Sequence, residues 1–315
     1  MTVLVCGEAL WDLFAEEGPD GLCFQARLGG SPFNVAVGLA RLGTDASLLT
    51  GLSTDPMGTR IRTALAREGI GEAHLVSTER RTTLSLVDLG PGGSPFYAFY
   101  GETGAERAVG EGDLPPALDP GIWALHAGSY SLVAEPVGSS LIALMRRERG
   151  RRLITVDPNV RPTVVPDLDL WRARVAEVAT LADVLKISAE DLEILYPGAK
   201  ASAMAPDWLA AGVRLVVVTR GGTGAEMFCR DAHLFEPAPA IEVVDTVGAG
   251  DSFMSALIAG LDRKDVRSAA GLDALDEPVR RLLLRQACAA AALTCLKRGA
   301  NPPTSSELTA GLSAA

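Results

Sequence analysis

The run Asp245-Thr246-Val247-Gly248-Ala249-Gly250-Asp251-Ser252-Phe253 sets two glycines and a carboxylate at the start of the apolar stretch Met254–Leu261. Gly248 and Gly250 permit a tight turn in which successive amides face one centre, at a helix N-terminus whose partial positive charge favours an anion. A carboxylate at Asp251 would repel a phosphate that was merely bound there. It becomes useful if it takes the proton of a hydroxyl attacking that phosphate, because base and developing charge are then served by adjacent atoms. An N-capping aspartate behind a glycine turn is the plainer account of the same residues.

Three further segments carry suitable groups. Thr219-Arg220-Gly221-Gly222-Thr223-Gly224 follows the apolar run Leu215–Val218, and a loop past the carboxyl end of a strand is a ligand position in an α/β sheet. Its spacing matches neither GxGxxG nor GxxxxGK[ST], so neither a dinucleotide fold nor a P-loop is indicated. In Asp157-Pro158-Asn159-Val160-Arg161-Pro162 the prolines restrict the backbone around Asp157, Asn159 and Arg161. Arg161 could meet a phosphate or a polyol oxygen, or form a local ion pair. Near the N-terminus, Asp12 follows the first strand and Asn34 begins a helix after Gly29-Gly30. Short carboxylate and amide groups suit adjacent sugar hydroxyls, and Gly30 lets a ligand approach the backbone. Phe96, Tyr97 and Phe99 could close one side of that pocket, although alternating aromatics are ordinary in a strand.

The elements that must position these groups alternate between strand and helix. Val3–Glu8 reads as a buried strand, since continuous apolar runs suit a parallel sheet covered on both faces. Residues 13–28, turning at Gly18-Pro19-Asp20-Gly21, read as a projecting hairpin, and Thr82–Asp88 with Phe96–Tyr100 as another. Between them come a helix from Asn34 to Gly43, a strand over Ala46–Leu52 and a helix over Met57–Glu68. Strands at Ile122–His126, Arg152–Asp157, Val184–Ile187 and Arg214–Thr219 then alternate with helices at Pro136–Arg149, Leu170–Thr180 and Ala189–Leu195. A hairpin over Glu226–Arg230 and His233–Glu236 and helices near 251–261 and 279–296 complete the chain. This pattern predicts a three-layer α/β body, with the two hairpins joining into a small exposed sheet.

Composition narrows the partners. The chain has 315 residues, 48% hydrophobic and 22% charged, with a net charge of −10. Such an acidic chain is a poor non-specific nucleic-acid binder. The basic run Arg146–Arg152 reads as the solvated end of a helix. The five cysteines form no CxxC pair, the three histidines lie too far apart in sequence to suggest a metal cluster, and no apolar run is long enough to span a bilayer. A reduced, soluble, cytoplasmic protein is expected.

With these residues in view, the sequence resembles the ribokinase-like sugar kinases of the PfkB carbohydrate kinase family, and most of all its fructokinases. The family's N-terminal signature is similar to GGSPFNVAVGLARLG (29–43) and its C-terminal signature to DTVGAGDSF (245–253). DPNVRP (157–162) and KRGANPPTSSEL (297–308) also resemble family segments. The resemblance implies one domain over 1–315, an α/β/α body with a β-rich lid at about 13–28 and 82–102. It implies transfer of the terminal phosphoryl group of ATP to a primary sugar hydroxyl. Asp251 would be the base, with the turn at Gly248 and the amides of Ala249, Gly250 and Asp251 as an anion hole. Asp12, Gly30, Asn34 and Tyr97 would meet the sugar, and Arg161 the sugar or the phosphate. Ser188, Thr219, Gly221, Gly224 and Asn301 would border the nucleotide. Mg2+ would accompany ATP, contacted by Asp191 through water, and Asp245 and Val247 would hold a monovalent cation such as K+.

Two departures matter. Ser188-Ala189-Glu190-Asp191 stands where the family often has Asn-x-x-Glu, so the carboxylate has a shorter reach. Gly101 follows Tyr100 where relatives often place an arginine. A kinase for 2-keto-3-deoxygluconate must bind a carboxylate, for which a bidentate arginine is the usual answer, so neutral fructose is the expected acceptor. Another sugar or nucleoside, or a non-catalytic sensor on the same fold, is the alternative, and an exposed lid edge leaves a homodimer open.

Overall fold

The computed structural model describes residues 1–18, 21–89 and 95–314. Its strands are β1 (Thr2–Cys6), β2 (Leu10–Gly18), β3 (Gly21–Gly29), β4 (Ala46–Ser53), β5 (Leu75–Thr78), β6 (Leu84–Leu89), β7 (Pro95–Tyr100), β8 (Ile122–Gly128), β9 (Leu153–Asp157), β10 (Val184–Ser188), β11 (Leu215–Thr219), β12 (Gly224–Phe228) and β13 (His233–Pro237). The helices are α1 (Ser31–Arg41), α2 (Pro56–Arg67), α3 (Val137–Glu148), α4 (Leu168–Ala179), α5 (Ala189–Leu195), α6 (Ala201–Ala211), α7 (Ala249–Arg263), α8 (Ala269–Asp273), α9 (Glu277–Cys295) and α10 (Ser305–Ala314).

Nine strands form the main sheet in the order β13-β12-β11-β10-β9-β8-β1-β4-β5, parallel from β11 to β5 with an antiparallel edge. Its strands are apolar on both faces because both are covered. Val3 and Val5 of β1 enter a core with α1, α7 and α9, while Leu4 and Cys6 enter a second core with α3, α4 and α6. In β11, Leu215 and Val217 face the first core and Val216 and Val218 the second. The period of two along a strand thus assigns alternate residues to opposite layers, and the three-layer arrangement follows.

The two hairpins meet in a four-stranded sheet, β3-β2-β6-β7. They are joined by parallel pairing of β2 with β6, which sets Asp12 opposite Ser85, a contact that no local pattern specifies. Sequence reading passed over β5, α6, α8 and α10. β5 is four residues long, and α6 carries Pro206 inside it, which a sequence pattern reads as a helix stop. Part of the basic run is paired locally: Arg146 pairs with Glu177, and Arg147 and Arg152 both pair with Glu148 at 3.0 Å. None of the described helices is long and apolar enough to cross a membrane.

Candidate active site

The proposed transfer residues gather at the carboxyl ends of the parallel strands, beside β1, where the strand order reverses. That is where ligands sit in open α/β sheets.

The turn before α7 has the shape its glycines suggest. Gly248 has φ 77°, in the left-handed region, and a Cβ there would fall 2.6 Å from the Ala300 Cβ, so the position excludes a side chain twice over. Asp245 shapes the approach to the turn. Its Oδ1 accepts the Val247 amide at 3.1 Å and its Oδ2 the Gly299 amide at 2.7 Å. No described hydrogen bond ends on the carbonyl oxygens of Asp245 or Val247. The Ala249 amide points back to the Thr246 carbonyl at 3.2 Å, whereas those of Gly250 and Asp251 donate to no protein acceptor among the described residues. The anion-facing pair is therefore Gly250 and Asp251, and Ala249 closes the turn.

Asp251 lies in the first turn of α7 and is only 6% exposed. Its Oδ1 accepts the Ser31 hydroxyl at 2.7 Å and its Oδ2 the Asn34 amide at 2.8 Å. The capping role is thus not what occupies this carboxylate. Asn34, expected on a sugar hydroxyl, spends its amide nitrogen on the base. The contact depends on close packing of α1 against α7, where Gly38 leaves room for Ser255: a Cβ at 38 would lie 2.7 Å from the Ser255 Cβ.

Asp12 lies against Gly29, and Gly30 turns with φ 101° over the Glu8 carbonyl. Burial pushes the Asp12 carboxyl up to about 6; the Ser85 hydroxyl and the Arg161 charge oppose this, and Asp251 adds to it. Asp12, Arg161 and Asp251 therefore lie within electrostatic reach of one another. Tyr97 belongs to β7, paired with Val87, but its side chain, like that of Phe96, lies outside the described residues.

Ser188 and Thr219 are register partners at the ends of β10 and β11, and Gly221 and Gly224 open the loop beyond with φ 51° and 126°. The Ser188 hydroxyl caps α5 by accepting the Asp191 amide at 2.9 Å, and the Asp191 Oδ1 accepts the Val160 amide at 3.0 Å. Asp191 thus braces the loop that carries Arg161. Asn301 is exposed, accepts from Arg41 at 2.6 Å and adjoins Ala300 behind the glycine turn.

One functional group escaped sequence reading. Lys186, 3% exposed, donates to the Asp157 Oδ2 at 2.6 Å, and its ammonium would sit 2.9 Å from a Cβ at Gly250. Burial lowers its pKa, but Asp157, Asp191 and Asp251 outweigh this and raise it. Burial likewise pushes Asp157 up to about 6 against the opposing Lys186 charge. A buried ammonium therefore underlies the glycine turn. Its signal in the sequence was a single lysine inside the apolar strand Val184-Leu185-Lys186-Ile187.

A buried carboxylate beside two unspent amides and a buried ammonium, at the strand ends of a doubly covered sheet, is the arrangement of a phosphotransferase of the α/β class. The pfkB family carbohydrate kinase profile matches residues 2–307, and the chain belongs to that family. It is 36% identical over 282 residues to a fructokinase of Rhizobium leguminosarum bv. trifolii, covering 89% of this chain and 85% of the relative. A fructokinase from Xylella fastidiosa with bound ATP superposes with a TM-score of 0.91 at 27% identity, over 99% of this chain and 98% of that one. A fructokinase double mutant from Vibrio cholerae O395 in fructose, ADP and potassium ion bound form gives 0.85 at 27% identity, over the same shares.

Proposed function

We propose that this chain is a fructokinase, transferring the terminal phosphoryl group of ATP to the 6-hydroxyl of D-fructose. The observation that carries the reading is Asp251, a buried carboxylate fixed by two donors beside the unspent amides of Gly250 and its own residue. The fructokinase relatives and the fructose-bound neighbour support the acceptor.

In this reading Asp251 takes the proton of the 6-hydroxyl as its oxygen forms the new bond to phosphorus and the bond to ADP breaks. The amides of Gly250 and Asp251 and the Lys186 ammonium receive the growing charge. Asp12, the backbone at Gly30, the free oxygen of the Asn34 amide and Arg161 orient the sugar, with Tyr97 on the covering strand. The small sheet serves as the lid that excludes water. Ser188, Thr219, Gly221, Gly224 and Asn301 border the nucleotide.

The donor set suits a magnesium ion brought with the nucleotide. No described cluster of three metal-ligating side chains exists, and hard, strongly hydrated Mg2+ needs only one or two carboxylates beside phosphate and water. Asp191 would be its contact through water; when bound, the ion neutralises phosphate charge. The free carbonyl oxygens of Asp245 and Val247 are the chemistry a K+ ion requires, and the potassium-bound neighbour supports that assignment.

The test is ADP formation dependent on added acceptor, compared as kcat/KM for fructose, ribose, glucose, adenosine, fructose 6-phosphate and 2-keto-3-deoxygluconate. Fructose should lead the series. A higher value for any other acceptor overturns the assignment, and binding without ADP formation marks a sensor.

A further inference from the structure

We infer that Arg107 is the specificity-determining residue for the end of the acceptor sugar remote from the transferred phosphoryl group, an assignment that rests on the fructokinase reading. A cavity of about 70 Å³ opens where the small sheet meets the body, lined by Thr83, Phe99, Glu106, Arg107, Tyr130 and Thr163 among others. Its volume corresponds to roughly two water molecules, enough for one substituent of a sugar and too little for the whole ring.

The cavity continues the site that Asp12 begins. Ser85 is the register partner of Asp12 on one side and of Phe99 on the other. Thr83, two residues before Ser85, falls on the same side of the chain. Asp12 feels the charges of Asp251 and Arg161, whereas Arg107 acts on Glu106 and Tyr130. Asp12 therefore shares a sheet face with the cavity wall and lies within electrostatic reach of the transfer centre. A fructose whose 6-hydroxyl meets Asp251 directs its C1 hydroxymethyl toward Arg107.

Arg107 is equipped for that contact. It follows β7 on the short helical turn Ala105–Ala108, and its guanidinium carbon lies 5.8 Å from the Tyr130 ring centroid. Its Nε is buried without a hydrogen-bond partner. The nearest carboxylate, Glu106, is 3.8 Å away, too far for a hydrogen bond. Glu106 already accepts the Thr83 hydroxyl at 2.7 Å and the Tyr130 hydroxyl at 3.3 Å. A buried Nε without a partner, on a guanidinium that is otherwise partly exposed, is unfavourable until an acceptor oxygen arrives. This residue also supplies the cation that sequence reading found missing after Tyr100, six residues beyond Gly101 in the chain.

The test compares wild type, Arg107→Met and Arg107→Lys on D-fructose and 1-deoxy-D-fructose, which carries a methyl at the far end. Wild type should lose about 10–50-fold in kcat/KM on the deoxy sugar, the scale of one lost hydrogen bond to a charged group. Arg107→Met should lose a similar factor on fructose, mainly through KM with kcat within about 3-fold, and should no longer distinguish the two sugars. Arg107→Lys should recover part of the discrimination. Equal losses on both sugars, with the wild-type ratio kept, assign Arg107 a purely structural role and overturn the inference. So does a wild type that turns over both sugars alike. Absence of any fructose turnover overturns the fructokinase reading and this assignment together. A preference for 2-keto-3-deoxygluconate that disappears in Arg107→Met would instead give the guanidinium a carboxylate partner, and overturn the hydroxymethyl assignment.

Discussion

Asn34 donates to Oδ2 of Asp251 at 2.8 Å across 217 residues of chain. The bond joins the start of α1 to the start of α7 and gives the Asp251 carboxylate one orientation before any substrate arrives. Ser31, on the same turn, holds the other oxygen at 2.7 Å. The two donors fix both carboxylate oxygens in place, the positioning a general base requires.

Asp251→Asn keeps the shape and removes the base. Turnover should fall by about 10³-fold, the scale of general-base catalysis, while titration calorimetry still detects ATP binding. Near-normal kcat in this variant would remove Asp251 from the chemistry.

Gly38→Val tests the helix contact that brings the two motifs together. A side chain there meets Ser255, and overpacking of this kind destabilises by about 1–3 kcal/mol. Thermal unfolding should drop, and kcat should fall at least about 10-fold as Asn34 and Ser31 draw away from Asp251. A stability loss with unchanged kcat would show that the base keeps its aim without them.

Lys186→Met leaves Asp157 buried without its partner. Removing one partner of a buried pair is destabilising by about 3–5 kcal/mol, readable by urea unfolding. Combining it with Asp157→Leu should recover most of that loss, because neither charge then remains buried alone. Failure of the double variant to recover would mean that Lys186 supports the fold by packing rather than through the pair.

Glu8 gives a pH signature. It is 1% exposed, accepts the Ser131 hydroxyl at 2.5 Å, and burial pushes its carboxyl up to about 7 from 4.5. Because the folded value lies above the unfolded one, the stabilising contribution is complete below pH 4.5 and is lost as pH rises through 7. Glu8→Gln cannot ionise. Its stability relative to wild type should therefore improve between pH 5 and pH 8 by up to about 3 kcal/mol, at 1.36 kcal/mol per unit. A difference independent of pH would mean that Glu8 stays ionised in the fold.

Much of the architecture was legible because it is periodic. The apolar runs at Val3–Cys6 and Leu215–Val218 marked strands covered on both faces, and the glycine turn at 248–250 marked its own left-handed backbone. Both depend on residues close in the chain. The parallel pairing of β2 with β6 was not legible, nor was the buried Lys186–Asp157 pair, since each depends on which distant segments meet. Arg107 was missed for a related reason: it reaches the cavity from a short turn after β7, outside the position where a cation was sought.

By itself, then, the sequence determined the alternation of strand and helix and the glycine turn that sets Asp251 at the start of α7, since local backbone preference decides those. Tertiary structure decided which amides stay unspent, what aims Asp251, and where the interior cation lies. Those follow from packing α1 on α7 and from desolvation at the strand ends, which act between residues far apart in the chain.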